Sequence, residues 1–392
     1  MSFPPTFIDA LPFPGTHCYG GAMNSKTLLY ASLAVIGIGT IGIIAHPGAS
    51  TPVERYTLMP DSAVSGEALR GAIDPIFADS DMGETRALLV LHNGRMVAER
   101  YAPGYGPDTK LLSWSVGKTV TAVLVGLMVS DGRLALDSPA PVPAWAQTGD
   151  PRGAITLREL LSMSSGLAHV EASDPIARTD TARMLFTDGA QDMAAFAEGK
   201  PLADPPGSTF TYSTATTTIL SDIMTRMLTD SSDPEIRRAA MMRFVDGRLK
   251  EPVGLPSLTP EFDARGTMIG GSIMHMTPRD YATLGEFLRN RGRSKNGQQI
   301  LSARWIDFMR TPSPRNPAYG GHVWLNREGK GDALFPGKAP ASLFGCVGHN
   351  GQYILVSPGQ GLTVVRLGIS TDEQRVPLRD ALARLVRLFP QG

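Results

Sequence analysis

The chain has 392 residues, 42% of them hydrophobic and 19% charged, the proportions of a globular protein with ample core rather than a disordered or fibrous one. Lys+Arg and Asp+Glu both number 37, so the formal charge is zero and nothing favours nucleic acid or an acidic surface as partner. The two cysteines, Cys18 and Cys346, allow at most one bridge, which excludes a disulfide framework, and no Cys/His cluster has zinc-ligand spacing.

Residues 1–22 are rich in Pro and Gly and read as unstructured. Met23 and Lys26 then precede an uncharged run, residues 28–45, and small residues follow to Thr51. A positive residue, an apolar run and small residues have the form of a signal peptide or a single N-terminal membrane anchor. Residues 1–50 are therefore expected to be an extension that exports the chain, leaving it periplasmic or anchored in the inner membrane. Met23 competes with Met1 as the natural start. The remainder, residues 51–392, is expected to form the folded domain.

Asn93-Gly94 lies between two strand-like runs, residues 87–92 and 95–101, and predicts a tight hairpin. Residues 103–110 form a loop that delivers the chain to an apolar helix ending near Gly132. Thr156 with Glu159 three residues on marks a capped short helix. Residues 168–208 mix short helical patterns with loops. Helices are predicted at 217–228, 234–249 and 278–291. Strands are predicted at 319–326, 342–347, 352–357 and 362–367, with Pro358-Gly359 joining the last two. A closing helix opens at Pro377 and runs to Phe389, with Leu378, Leu382, Leu385, Val386 and Phe389 on one face. This order predicts an α+β fold: an antiparallel sheet flanked by helices, with a mainly helical part at about residues 119–265 inserted into it.

The densest chemistry sits at residues 111–128. Ser115 and Lys118, three apart at the mouth of an apolar helix, lie on one helical face. A lysine in a first turn is repelled by the positive end of the helix dipole, which favours the neutral amine that deprotonates a serine. The first-turn N–H groups lack intrahelical partners and can face an oxyanion, so the Ser115 amide is a candidate donor. Read structurally, the pair is a helix-capping serine with a solvated lysine. The apolar neighbours Val120, Val123, Leu124 and Leu127 bury the helix instead, and a buried lysine calls for a function.

Tyr212 is the candidate proton shuttle, with Thr214 two residues on along an extended segment and so expected on its side. His349-Asn350-Gly351, followed by Gln352, is the third motif. Gly351 would let substrate lie against a strand, the Gln352 amide would complete the oxyanion hole, and His349 would bind a substrate carboxylate.

In order, these motifs resemble those of the serine β-lactamase and D,D-peptidase superfamily. The likeness is greater to its class C-like esterase and amidase branch, which includes 6-aminohexanoate-dimer hydrolases. Met163-Ser-Ser-Gly-Leu167, Pro206-Gly-Ser-Thr-Phe-Thr-Tyr212 and Gly348-His-Asn-Gly-Gln352 carry the resemblance. It implies a β-lactamase/transpeptidase-like fold, Ser115 as acylated nucleophile, Lys118 as general base and Tyr212 as the family's motif tyrosine. It also implies oxyanion donors at Ser115 and Gln352, and substrate contacts at Thr214, His349, Asn350 and Gly351. No metal or cofactor is implied, and the partner is a small ester or amide.

Two departures bear on substrate: Thr214 stands for the motif's asparagine, and His349-Asn350-Gly351 for Lys-Thr-Gly. Both weaken the competing expectation of a D,D-carboxypeptidase or β-lactamase. A reading of another class is a membrane-tethered sensor or binding module without turnover, which has no need of both Lys118 and Tyr212. Substrate choice is expected from residues 168–205 and 313–345.

Overall fold

The computed structural model describes residues 55–331 and 333–391. The expectations for the N-terminal extension, its start and Cys18 lie outside the described residues.

Strand β1 (Arg55–Leu58) and helix α1 (Gly66–Ala78) come first. Neither is among the expectations above, although Ser65 caps α1 and Leu69, Ile73 and Ile76 give it a buried face at helical spacing. The predicted hairpin follows as β2 (Glu84–His92) and β3 (Arg95–Tyr101). Its turn has positive φ at both Asn93 (50°) and Gly94 (77°), the backbone for which Asn-Gly is suited. Strand β4 (Leu111–Leu112) leads into α2 (Val116–Ser130). The helical section continues as α3 (Leu157–Leu161), α4 (Asp180–Phe186), α5 (Met193–Glu198), α6 (Thr214–Leu228), α7 (Pro234–Val245) and α8 (Glu251–Val253). Short strand β6 (Met274–Met276) pairs with both β4 and β5 (Thr259–Pro260) in a small sheet of order β4-β6-β5. Helices α9 (Pro278–Arg289) and α10 (Ala303–Met309) precede β7 (Trp324–Leu325), β8 (Phe344–Gly348), β9 (Gln352–Ser357), β10 (Leu362–Ile369) and α11 (Arg375–Arg387).

The main sheet has seven antiparallel strands in the order β1-β3-β2-β10-β9-β8-β7. Its central strands are covered on both faces, which explains why β2 is a continuous apolar run rather than an alternation. Leu88 and Val90 pack with α1 and α11 on one side, whereas Ala87, Leu89 and Leu91 join the core under α2 and α9 on the other. The α+β architecture expected from the element order is the one observed.

Boundaries moved where side chains overrode local pattern. The strand expected over 319–326 shrinks to β7, because Gly320-Gly321 and His322, at φ 60°, turn the backbone there. Helix α11 opens two residues before Pro377. Helix α6 begins at Thr214, because Ser213 caps it by accepting from the Thr216 amide at 3.0 Å.

Helices α5 and α6 meet across two carboxyl groups, Glu198 (4% exposed) and Asp222 (1%). Asp222 is satisfied by Arg237, at 2.5 Å, and by Arg226. Burial first, and the Asp222 charge second, push the Glu198 carboxyl up to about 8 from its ordinary 4.5. The folded state thus keeps a proton that the unfolded chain has released, so this contribution to stability is full below about 4.5 and is lost as pH rises through about 8. Thermal unfolding at pH 6 and pH 8 should show wild type losing up to about 1.4 kcal/mol per pH unit relative to Glu198→Gln. A difference between the two proteins that does not change with pH would contradict the buried proton.

Candidate active site

The small sheet aims the start of α2. Ser113 donates its amide to Met274 O at 2.8 Å and its hydroxyl to Ser272 O at 3.2 Å. Trp114 then takes φ 45°, a left-handed conformation that a bulky residue holds only where its surroundings enforce it. Ser115 follows at φ −67°, at the N-cap position of α2, yet its side chain makes no capping hydrogen bond. Its oxygen faces Lys118 instead.

Every residue of α2 from Val116 to Met128 is buried, Lys118 included at 1% exposure. The Lys118 Nζ lies 2.9 Å from Ser115 Oγ, 2.8 Å from Thr214 Oγ1 and 2.8 Å from Gly271 O. Burial lowers this amine from 10.5 to about 8, against an opposing pull from the Glu171 charge. Tyr212 places its ring face 4.9 Å from the same nitrogen and its hydroxyl in hydrogen-bond contact with Ser115. Burial, then the Glu171 charge, raise the phenol above its ordinary 10, so it stays protonated where the amine can be neutral. Tyr212 stacks on Trp324 at 5.5 Å and meets Tyr319 edge-on at 5.8 Å, forming an aromatic wall beside the serine.

Thr214 reaches the site by a route other than the expected one. It does not share an extended segment with Tyr212; it is the first residue of α6, and its hydroxyl points at Lys118 because Ser213 starts the helix before it. Ser213 is anchored in turn by buried His169, whose Nδ1 lies 2.8 Å from the hydroxyl and whose Nε2 faces Ala197 O at 3.2 Å.

The 349–351 motif is placed differently from its sequence reading. It is the turn between β8 and β9, with Asn350 at φ 59° and Gly351 at φ 78°. A Cβ at Gly351 would lie 2.8 Å from Arg366 Nη1 and 3.3 Å from Leu378, so this glycine makes room for a buried arginine rather than for substrate. Arg366, fully buried, donates to Gly351 O at 2.9 Å and Asn350 O at 3.3 Å and pins the turn. Gln352 is likewise held by the sheet. It opens β9, which lies between β8 and β10, and it pairs with Gly348 of β8. Its side chain also turns inward, Nε2 donating to Gly368 O at 2.7 Å and Oε1 accepting from the Gly368 amide at 3.0 Å.

The open edge belongs to β8. Strand β7 pairs with Phe344 and Gly345 alone, and Gly348 packs so closely on Ser113 that an added Cβ would lie 2.7 Å from its carbonyl. His349 is exposed, with its ring edge-on to Trp114 at 5.1 Å. Cys346, on the same strand, is buried and its thiol is pushed up to about 12, which makes it an inert core group.

A family model described as Beta-lactamase matches residues 80–388, most of the chain and all of the elements that build this site. The chain belongs to the β-lactamase family. Among curated relatives, Protein Rv1367c and Uncharacterized protein MT1414, both of Mycobacterium tuberculosis, are each 28% identical over 268 residues, 56% of this chain and 65% of theirs. The family member described here thus spans under two thirds of the length of those relatives. Among solved structures, a Bacillus anthracis protein assigned as a 6-aminohexanoate-dimer hydrolase is 22% identical, covering 80% of this chain and 82% of that one, with a TM-score of 0.63. A penicillin-binding protein homolog from Caulobacter crescentus gives 20% identity, 84% and 100% coverage and a TM-score of 0.61. A family VIII carboxylesterase gives 16%, 84%, 100% and 0.60. At these identities the structural likenesses speak to the fold.

One residue of this β-lactamase-family site escaped the sequence reading. Glu171 accepts from the Thr214 hydroxyl at 2.6 Å, the Thr214 amide at 2.7 Å and the Thr181 hydroxyl at 2.6 Å. It sits in the stretch of weakest patterning, and no motif marks it. Charge does not single it out either, since Asp174, Arg178 and Asp180 follow within nine residues.

Proposed function

We propose that this β-lactamase-family chain is a serine hydrolase that cleaves ester or small amide bonds through an acyl-enzyme on Ser115. The observation that carries the reading is the buried Lys118 amine 2.9 Å from Ser115 Oγ, lowered to about 8 by its surroundings. Neutral Lys118 takes the Ser115 proton as Oγ bonds to the substrate carbonyl carbon. The resulting oxyanion is held by the Ser115 amide and by the amide of His349, the residue that follows the open edge of β8, in place of Gln352. As the bond to the leaving group breaks, Tyr212, kept protonated, gives that group its proton and is resupplied by the Lys118 ammonium. Water then attacks the ester on Ser115 by the same path in reverse and releases the acid. The solved neighbours named for a carboxylesterase and an amide-dimer hydrolase support this choice of bond.

Export belongs to the same proposal. Its support is Lys26, the uncharged run 28–45 and the small residues after it. Terminal sequencing of chain recovered from periplasm and from membranes distinguishes a cleaved leader from an anchor, and recovery only from cytoplasm rejects both.

Hydrolysis of p-nitrophenyl acetate or butyrate by the purified protein tests the activity, with nitrocefin as the β-lactam comparison. Turnover of nitrocefin far above the esters would move the assignment to a β-lactamase. The pH profile tests the base. Because only the neutral amine acts, kcat/KM should fall about tenfold per pH unit below about 8 and level off above it. A flat profile from about pH 5 to 9 would deny Lys118 that role.

A further inference from the structure

Resting on the reading of Ser115 and Lys118 as nucleophile and base, we infer that Glu171 is a positioning residue that aims the Lys118 lone pair at Ser115 by forcing the Thr214 hydroxyl to act as an acceptor. A neutral lysine amine has two N–H bonds and one lone pair, and Lys118 has three partners: Gly271 O, Thr214 Oγ1 and Ser115 Oγ. Gly271 O is a carbonyl and only accepts. Thr214 carries a single hydroxyl proton, and that proton is committed to Glu171 Oε1 at 2.6 Å. Thr214 is therefore left with lone pairs only toward Lys118. Both N–H bonds of the amine are consumed, and its lone pair falls to the remaining partner, the Ser115 hydroxyl.

Glu171 is held in this task by its other contacts. Its Oε2 accepts from the Thr214 amide at 2.7 Å and from the Thr181 hydroxyl at 2.6 Å, so the carboxylate is fixed against both the start of α6 and α4. With the amine neutral, the chain of hydrogen bonds runs one way: Ser115 donates to Lys118, Lys118 to Thr214, and Thr214 to the carboxylate, while Tyr212 stays in hydrogen-bond contact with Ser115. Among the described residues the other titratable groups facing Lys118 are uncharged: His322, buried on the approach to β7 and lowered to about 3, stays neutral, and Tyr212 stays protonated. The arrangement also accounts for the departure at Thr214. An asparagine keeps its acceptor and its donors on separate atoms, so an amide oxygen turned to the lysine only accepts, whereas a hydroxyl oxygen does either and needs an outside group to decide.

The test is the rate at which a fluorophosphonate probe labels Ser115 between about pH 6 and 10, for the full chain and its variants. Glu171→Gln presents an amide N–H that competes for the Thr214 oxygen, turns the hydroxyl proton toward Lys118 and blocks its lone pair. Labelling should slow about 10- to 100-fold. Its acid limb should shift to lower pH, because the carboxylate charge that favoured the ammonium is gone. Adding Thr214→Asn to Glu171→Gln should recover about tenfold or more, since the new acceptor no longer depends on Glu171. Thr214→Val, which keeps the shape and lacks the acceptor, supplies the same loss should Glu171→Gln fail to fold. Wild-type rate and an unmoved limb in Glu171→Gln overturn the inference, as does absence of recovery in a double variant whose Tm matches the single one. Labelling of Ser115→Ala at the wild-type rate would instead defeat the underlying reading of the nucleophile.

Discussion

Ser115→Ala is expected to reduce ester turnover by about four orders of magnitude or more and to abolish covalent labelling, while leaving thermal stability almost unchanged. The two halves of that result have different causes. The hydroxyl is the atom that becomes acylated, and no other side chain of the site offers a comparable nucleophile: Cys346 is buried with its thiol pushed up to about 12. The stability half follows from the helix terminus. A serine that capped α2 would cost about 1 kcal/mol when truncated. Ser115 makes no capping hydrogen bond, and its φ of −67° suits alanine equally well. A melting temperature several degrees lower for the variant would return Ser115 to a structural role. Residual turnover equal to wild type would remove it from the chemistry.

Lys118→Met is expected to lower the rate by about 10³- to 10⁵-fold without destabilising the protein at neutral pH. Folding depresses the amine from 10.5 to about 8, so the unfolded chain binds the proton more tightly. Stability from this group therefore rises with pH between about 8 and 10.5, and below about 8 the buried ammonium carries a constant penalty of roughly 3 kcal/mol. Methionine removes that penalty and fills the same narrow volume. Against it stand two acceptors left without a donor, Gly271 O and Thr214 Oγ1, at about 1 kcal/mol or more each. The balance is near zero or favourable to the variant, a residue kept for chemistry rather than for the fold. Melting curves at pH 7 and pH 10 check the sign: wild type should gain on the variant at the higher pH. A loss of several kcal/mol in Lys118→Met at pH 7 would show that the lysine holds the structure together.

What was legible in the sequence was local. Asn93-Gly94 specified its hairpin because both turn residues need positive φ, and those two types tolerate it. Thr156 and Glu159 specified their capping box from three residues' separation. The proximity of Ser115 and Lys118 was equally local, since one helical turn brings positions three apart together whatever the rest of the chain does. The burial of α2 followed from its lack of any polar face. The helix start at Thr214 was misread because a Ser-Thr pair such as Ser213-Thr214 suits strand and cap alike, and the His169 contact that settles Ser213 as the cap comes from 44 residues away.

The sequence by itself determined the α+β class, the order of those elements it marked and the adjacency of a hydroxyl and an amine, because each depends on periodicity or on spacing within a turn. Tertiary structure alone decided which peptide edge is open, since that turns on β9 lying inside the sheet and β7 covering only part of β8. It alone also decided the protonation and the aim of Lys118, because both are set by groups distant in the chain: burial under α6, the Gly271 carbonyl and the carboxylate of Glu171. Hydrogen-bond direction is a property of the assembled network, and no stretch of residues carries it singly.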